Sequence, residues 1–240
     1  MEKIDLYSYL RSNEYPGRGI CIGLTPDGKK ALIGYFIMGR SVNSRNRVFE
    51  PVPERGGIET KAADPSKLED PSLIIYNPVL TLQQAHIVTN GDQTDTIYDF
   101  LKQDDTFENA LRTRTFEDDG PNWTPRISGI VDGLTGAYKL SILKSADGNG
   151  DSVHRYFYEY LQPVAGEGHF ISTYKCNGSP IPSFEGEPLR VAMPEGAASF
   201  AKQLWEALNE DNKVSLFVRS IDLETGHFGD IVYNKYSEVE

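Results

Sequence analysis

The sequence predicts an α+β fold in which two antiparallel sheets are stacked between layers of helix. Many short runs of β-branched and aromatic residues are separated by turn signals. The helical segments gather in the middle and near the end of the chain instead of alternating with the strands, which argues against a parallel sheet. With 240 residues, 39% of them hydrophobic, the chain can bury a substantial core. No stretch reads as a linker, so residues 1–240 are expected to form a single domain.

The elements follow in order. "RGICIGLT" and "KALIGYFIM" flank "PDGKK", whose Pro-Asp-Gly is a turn signal, so residues 18–38 read as a hairpin of two buried strands. Residues 50–71, rich in Pro, Gly and charge, read mainly as loop. Strands are expected at "SLIIYNPVLTL" and "HIVTN". "GDQTDTIYDFLKQ" and "TFENALRTR" carry helical spacing, with Thr94 or Asp95 and then Thr106 as N-caps. Further strands read at "RISGIVDG", "AYKLSILK", "RYFYEYL" and "HFISTYKC", the middle two separated by an exposed "SADGNGDS" loop. "PEGAASFAKQLWEALN" predicts a helix with Pro194 at its start and Phe200, Leu204 and Leu208 on one face. "KVSLFVRSIDL" and "GDIVYNKY" are the last strands.

Composition excludes several classes. Against 24 basic residues stand 35 acidic ones, a formal charge of −11, which argues against broad affinity for nucleic acid or anionic membrane. The N-terminus lacks the order of a signal peptide, and no window approaches the roughly 18 apolar residues of a membrane span, so the chain reads as cytoplasmic. Cys21 and Cys176 read as buried thiols. His86, His154, His169 and His227 are scattered without metal-ligand spacing, and HExxH, Walker, GxGxxG and GxSxG motifs are absent from the sequence.

Within this acidic chain, "YFIMGRSVNSRNRVF" gathers Arg40, Arg45 and Arg47 after a strand. With Ser41 and the backbone near Gly39 they offer what a phosphate needs, although a solvated loop with ion pairs to Glu50 or Glu54 would use the same residues. "VTNGDQTDT" runs from a strand end into a helix, where free N–H groups serve either an anion or simple capping. "FEDDGPNWTPRISG" sets Glu117, Asp118, Asp119, Asn122, Thr124 and Arg126 around two prolines, and a buried Glu117 would suit proton transfer. Tyr76 and Asn77 end an apolar run, where a core ring with its hydroxyl at the edge is the plainer reading of Tyr76.

Taken in order, "YPGRGICIGLTPDGKKALIGYFIMGRSVNSR", "IIYN", "VTNGDQTDTI", "EDDGPNWTPRISGI" and "FISTYKCNG" resemble the archaeal-type IMP cyclohydrolase family. The resemblance implies a four-layer αββα sandwich like that of the N-terminal-nucleophile hydrolases. It does not imply their chemistry, because Cys21 would be freed only by cleavage after Ile20. The implied reaction closes the second purine ring of 5-formamidoimidazole-4-carboxamide ribotide (FAICAR), with loss of water to give IMP, and needs neither metal nor redox cofactor. By motif, Arg45, Tyr76 and Glu117 take the family's catalytic places. Arg18, Arg40 and Ser41 fall to the phosphate, and Asn90, Asn122, Thr124 and Arg126 to the rest of the nucleotide, while Arg47 stays closer to a solvated charge. A homo-oligomer is also implied. Gln93 stands where the family usually has histidine, Trp123 interrupts its Asn-Thr-Pro-Arg, and the chain is longer between 50 and 71. Those departures leave room for hydrolysis of another amide or formamide on the same scaffold, or for a non-catalytic purine-nucleotide-binding protein.

Overall fold

A computed structural model describes residues 3–67 and 75–236. Its hairpin is the one expected: β1 (Arg18–Leu24) and β2 (Lys30–Met38) pair antiparallel, Arg18 opposite Ile37. Segment 50–71 departs from the expected loop. It contributes to β3 (Val48–Val52) and contains β4 (Gly57–Lys61), with a single 3-10 turn at Pro53–Arg55 between them. β3 is an edge strand, which is why it tolerates Pro51. Of the strand expected over 72–82, residues 72–74 lie outside the described residues, and β5 begins only at Val79 (Val79–Leu82). β6 (Ala85–Thr89), β7 (Arg126–Asp132), β8 (Tyr138–Ser145), β9 (Val153–Tyr160) and β10 (Glu167–Ser172) follow, then β11 (Leu189–Ala192), which has no counterpart in the sequence reading, and finally β12 (Lys213–Asp222) and β13 (Phe228–Asn234).

Among the described residues these strands form two antiparallel sheets, ordered β11-β10-β1-β2-β12-β13 and β3-β4-β5-β6-β7-β8-β9. Side-chain alternation explains the stacking. In β2, Ile33, Tyr35 and Ile37 face the interior with Ile20 and Ile22 of β1 and Ile127 and Leu140 of the other sheet, while Leu32, Phe36 and Met38 face outward. That outer face is covered by α1 (Leu6–Ser12) and α5 (Ala197–Ala207) through Leu6, Leu10, Phe200 and Leu204. Gly34 admits α5: a Cβ there would come within 2.9 Å of the Phe200 ring. The second sheet is covered by α3 (Gln93–Lys102) and α4 (Phe107–Arg112), which bury Ile97, Phe107 and Leu111 against Ile87 and Leu143. Sheets covered on both faces need continuous apolar strands, the pattern seen in "KALIGYFIM".

Four further expectations resolve locally. Thr106 caps α4, accepting from the Asn109 N–H, whereas the residue before α3 is Asp92 and not Thr94 or Asp95. α5 starts at Ala197, three residues beyond Pro194. α1, unexpected from the sequence, is capped by Asp5, which accepts from Tyr7 and Ser8 N–H. Cys21 is buried, but Cys176 is exposed in the turn after β10. No helix among the described residues is long and apolar enough to cross a membrane.

Register brings five chain segments to one end of the sandwich. Arg18 opens β1, Gly39 follows β2, Asn90 follows β6, the 116–125 loop enters β7, and Thr173 follows β10. Pairings of Gly19 with Ser172 and of Thr89 with Ser128 hold those ends level.

Candidate active site

At that end lies a cavity of about 330 Å³, lined among others by Arg18, Arg40, Ser41, Arg47, Glu117, Asn122, Thr124 and Tyr174. Two of its charged groups, Arg18 and Glu117, approach each other to 3.5 Å. Glu117 is 3% exposed, and burial pushes its carboxyl above the usual range even though Arg18, Arg126 and Arg47 pull it down.

Glu117 is held by a chain of amides. Asn90 donates to Glu117 Oε1 (3.3 Å) and to the Pro125 carbonyl, while its own oxygen accepts from Gln93 and from the Ile127 N–H. Gln93, fully buried, accepts at Oε1 from Arg126 (2.7 Å), which also pairs with Asp92. Substitution of an amide for histidine therefore leaves a link able to donate to Asn90 and accept from Arg126 together. Gly91 makes room for it, since a Cβ there would meet Arg126 Nη1 at 2.5 Å and Gln93 Oε1 at 2.7 Å.

The arginines separate. Arg40 sits at the mouth, donating to Asn177 Oδ1 and the Gly178 carbonyl and lying over the Tyr15 ring, so that part of "FISTYKCNG" clamps it. Arg45, assigned to the reacting centre by motif, does not line this cavity. It ends the short helix α2 (Val42–Arg45) and turns away, donating to the Gly39 carbonyl (3.0 Å) and Asn212 Oδ1 (3.1 Å). Arg47, read as a solvated charge, is instead 1% exposed and lines the cavity. It donates to the carbonyls of Ser44 and Met38, but its Nη1 has no partner among the described residues. Burial lowers its affinity for a proton, and the nearby Arg18 lowers it further. Its sequence signal was the alternation Arg47-Val48-Phe49: Arg47, just ahead of β3, and Phe49 within it are both buried, in a segment hidden by the prolines that follow.

Tyr76 is buried just behind the cavity. Its hydroxyl meets that of Tyr35 at 2.9 Å, and its backbone N–H and carbonyl are both held by Thr60. The two phenols lie close enough to Arg18 and Arg47 to interact with them electrostatically, and burial raises the Tyr35 hydroxyl well above its usual range. Thus Arg18, Arg40, Ser41, Glu117, Asn122 and Thr124 converge on the cavity as expected, while Tyr76, Asn90 and Arg126 support it from behind.

Among the residues that line the cavity, Arg18, Arg40 and Arg47 face the carboxyl groups of Glu117 and Asp119, leaving one positive charge in excess. Such a site favours an anion or an oxygen on which negative charge develops. Two other buried atoms with no partner among the described residues, Arg18 Nε and Asn43 Oδ1, belong to residues that line the same cavity.

Comparison with known proteins agrees in extent with this architecture. The chain is similar to an IMP cyclohydrolase of Methanopyrus kandleri, 32% identical over 170 residues covering 67% of this chain and 75% of the relative. It is similar to IMP cyclohydrolases of Methanothrix thermoacetophila (25% identity, 66% of this chain, 82% of the relative) and Methanosphaera stadtmanae (28%, 68% and 75%). A family model described as IMP cyclohydrolase-like protein matches residues 15–226, from the loop before β1 to the turn after β12, and the chain belongs to that family.

Proposed function

We propose that the protein is an IMP cyclohydrolase that closes the purine ring of FAICAR with loss of water. The observation that carries this reading is the excess of guanidinium charge lining the cavity beside the buried carboxyl group of Glu117, in a chain of this family. The carboxamide nitrogen attacks the formyl carbon and gives up a proton, while the formyl oxygen gains one. The resulting hydroxyl then leaves as water with a second proton, and the formamide nitrogen loses its hydrogen as the C=N bond forms. In this reading Glu117, its carboxyl raised by burial, delivers protons to the oxygen. Arg47 takes the charge-stabilising role that motif matching gave to Arg45, with Arg18 beside it. Tyr76 acts from behind through its hydroxyl pair with Tyr35. Arg40, Ser41 and Asn122 hold the ribose phosphate at the mouth.

The same reading includes a single-domain αββα sandwich of the N-terminal-nucleophile hydrolase type, a cytoplasmic setting and a homo-oligomer. The deciding experiment incubates the purified protein with FAICAR and follows purine absorbance against the spontaneous rate. Acceleration that Glu117→Gln reduces by about 10²-fold or more, with KM little changed, is the expected result. A rate equal to the uncatalysed one would overturn the proposal.

A further inference from the structure

Tyr174, from the "FISTYKCNG" segment, has no role in the reading above, yet it is placed with unusual care. It is 3% exposed, lines the cavity and stacks on Tyr15. Gly17, in the left-handed region at φ +78°, makes its seat: a Cβ there would come within 2.5 Å of the Tyr174 ring and 2.3 Å of Thr173 Oγ1. The Tyr174 hydroxyl lies 2.5 Å from Thr124 Oγ1, and Thr124 Oγ1 lies 2.5 Å from Asp119 Oδ2. The other Asp119 oxygen accepts the Thr124 N–H at 2.7 Å. Thr124 is fully buried, and its carbonyl accepts the Glu117 N–H, which ties this chain to the general acid.

The direction of the hydrogen bonds is determined by counting protons. A carboxylate only accepts, and a threonine hydroxyl has one proton to give. Thr124 must therefore donate to Asp119, and Tyr174 must donate to Thr124. What the Tyr174 oxygen presents to the cavity is a lone pair. It can accept a proton from a ligand N–H and cannot donate one.

We propose that Tyr174, Thr124 and Asp119 form a one-way proton relay that accepts the proton from the carboxamide nitrogen of the substrate, making Tyr174 a catalytic residue. The inference rests on the ring-closure reading. As the C–N bond forms, the nitrogen's proton passes to the Tyr174 oxygen, the Tyr174 proton to Thr124 and the Thr124 proton to Asp119. Asp119, on the cavity wall and partly exposed, then returns it to water. Glu117 is left to serve the oxygen, so the two proton transfers of the closure use separate groups.

Asp119→Asn inverts the chain. The Thr124 N–H claims the single amide oxygen, the amide NH₂ then donates to Thr124 Oγ1, Thr124 donates to Tyr174, and Tyr174 presents a proton to the cavity. Thr124→Val breaks the chain instead and leaves the Tyr174 proton free to point inward. Both variants are to be measured for FAICAR closure and for affinity to two probes: IMP, whose ring N1 carries a hydrogen, and AMP, whose N1 carries a lone pair. The expected result is a kcat lower by about 10²-fold in each variant, with KM changed by less than about threefold. The preference for IMP over AMP should fall by about tenfold in Asp119→Asn. Wild-type kcat with an unchanged IMP/AMP ratio overturns the relay, and so does an equal loss of both ligands, which marks a structural role. Should wild-type protein fail to accelerate closure, the ring-closure reading falls, and with it the proton transfer. The inverted IMP/AMP preference would still report the direction of the hydrogen bonds. Thr124→Val carries the test if Asp119→Asn does not fold.

Discussion

Arg47 and Arg219 are both buried, and they differ in what surrounds them. Arg219, fully buried in β12, spends its donors: Nε and Nη2 form a fork on the Asp230 carboxylate at 2.7 Å each, Nη1 reaches Thr81, and Nη2 reaches the Gly56 carbonyl. The Phe228 ring covers its guanidinium at 4.0 Å. Arg47 has two backbone carbonyls, an Nη1 with no partner among the described residues, another guanidinium nearby and a cavity in front of it. A saturated buried arginine ties strands together, here β12 to β13 and to β5 and the turn at Gly56 of the facing sheet. An unsaturated one at a cavity costs the fold desolvation energy, and a ligand must supply what is missing.

The largest expected effect tests that distinction at the cavity. Arg47→Met should lower kcat for ring closure by about 10²- to 10³-fold, equivalent to about 3–4 kcal/mol of barrier. Its folding stability should stay within about 1 kcal/mol, a Tm shift within roughly 4 °C, because an unpaired buried charge and its repulsion with Arg18 are removed. Heat denaturation alongside steady-state kinetics measures both. At the other pole, Asp230→Ala should cost about 3 kcal/mol of stability, the low end for a broken buried pair because the Asp230 side chain is 28% exposed. Its ring-closure activity should remain close to wild type below the melting range. A Tm loss for Arg47→Met as large as that for Asp230→Ala would erase the contrast.

The contrast also explains what the sequence could and could not convey. The 18–38 hairpin and α5 were legible because burial on both faces leaves continuous apolar runs and a helical stripe at Phe200, Leu204 and Leu208. β3 and β4 were not, because an edge strand accommodates Pro51 and the following Pro53 and Gly56 shape a tight turn, so local punctuation hid the pairing. Losing β3 meant losing the alternation that buries Arg47, so motif order gave the chemistry to Arg45 and left Arg47 as a solvated charge. Motif order named Glu117, Arg18, Arg40 and Thr124, which line the cavity. Gln93 looked like the loss of a titratable group, whereas three dimensions make it the amide that connects Arg126 to Asn90. Tyr174 carried no signal of its own, because its meaning lies in a hydrogen bond across fifty residues of chain to Thr124.

A smaller effect sharpens the Arg219 pole. His86 is buried beside Arg219, with Nδ1 3.2 Å from Arg219 Nη1, so Nδ1 accepts and the ring is neutral. Burial first, and Arg219 second, push its pKa from 6.5 down to about 4, with Asp132 opposing. The unfolded chain therefore binds more protons than the folded one between those values. Stability from this group is fully present above pH 6.5 and lost as pH falls towards about 4. His169, also pushed down to about 4 mainly by burial, shares the window. Denaturant melts at a series of pH values should show His86→Gln with a shallower, but not flat, decline. An unchanged slope would mean that His86 protonates without disturbing Arg219.

The smallest effect separates neighbours in sequence. Arg45 stands two residues from Arg47, yet its bonds to the Gly39 carbonyl and Asn212 only fasten α2 to the start of β12. Removing them with Arg45→Ala should cost about 1 kcal/mol of stability and leave kcat within about threefold of wild type. Both arginines carry the same charge, so long-range electrostatics would make the two variants alike. Only the direction of the guanidinium, outward at the end of α2 or inward ahead of β3, makes them differ. If Arg45→Ala loses activity on the scale of Arg47→Met, orientation and unsatisfied donors do not decide function at this cavity, and the assignment returns to the arginine that motif matching chose.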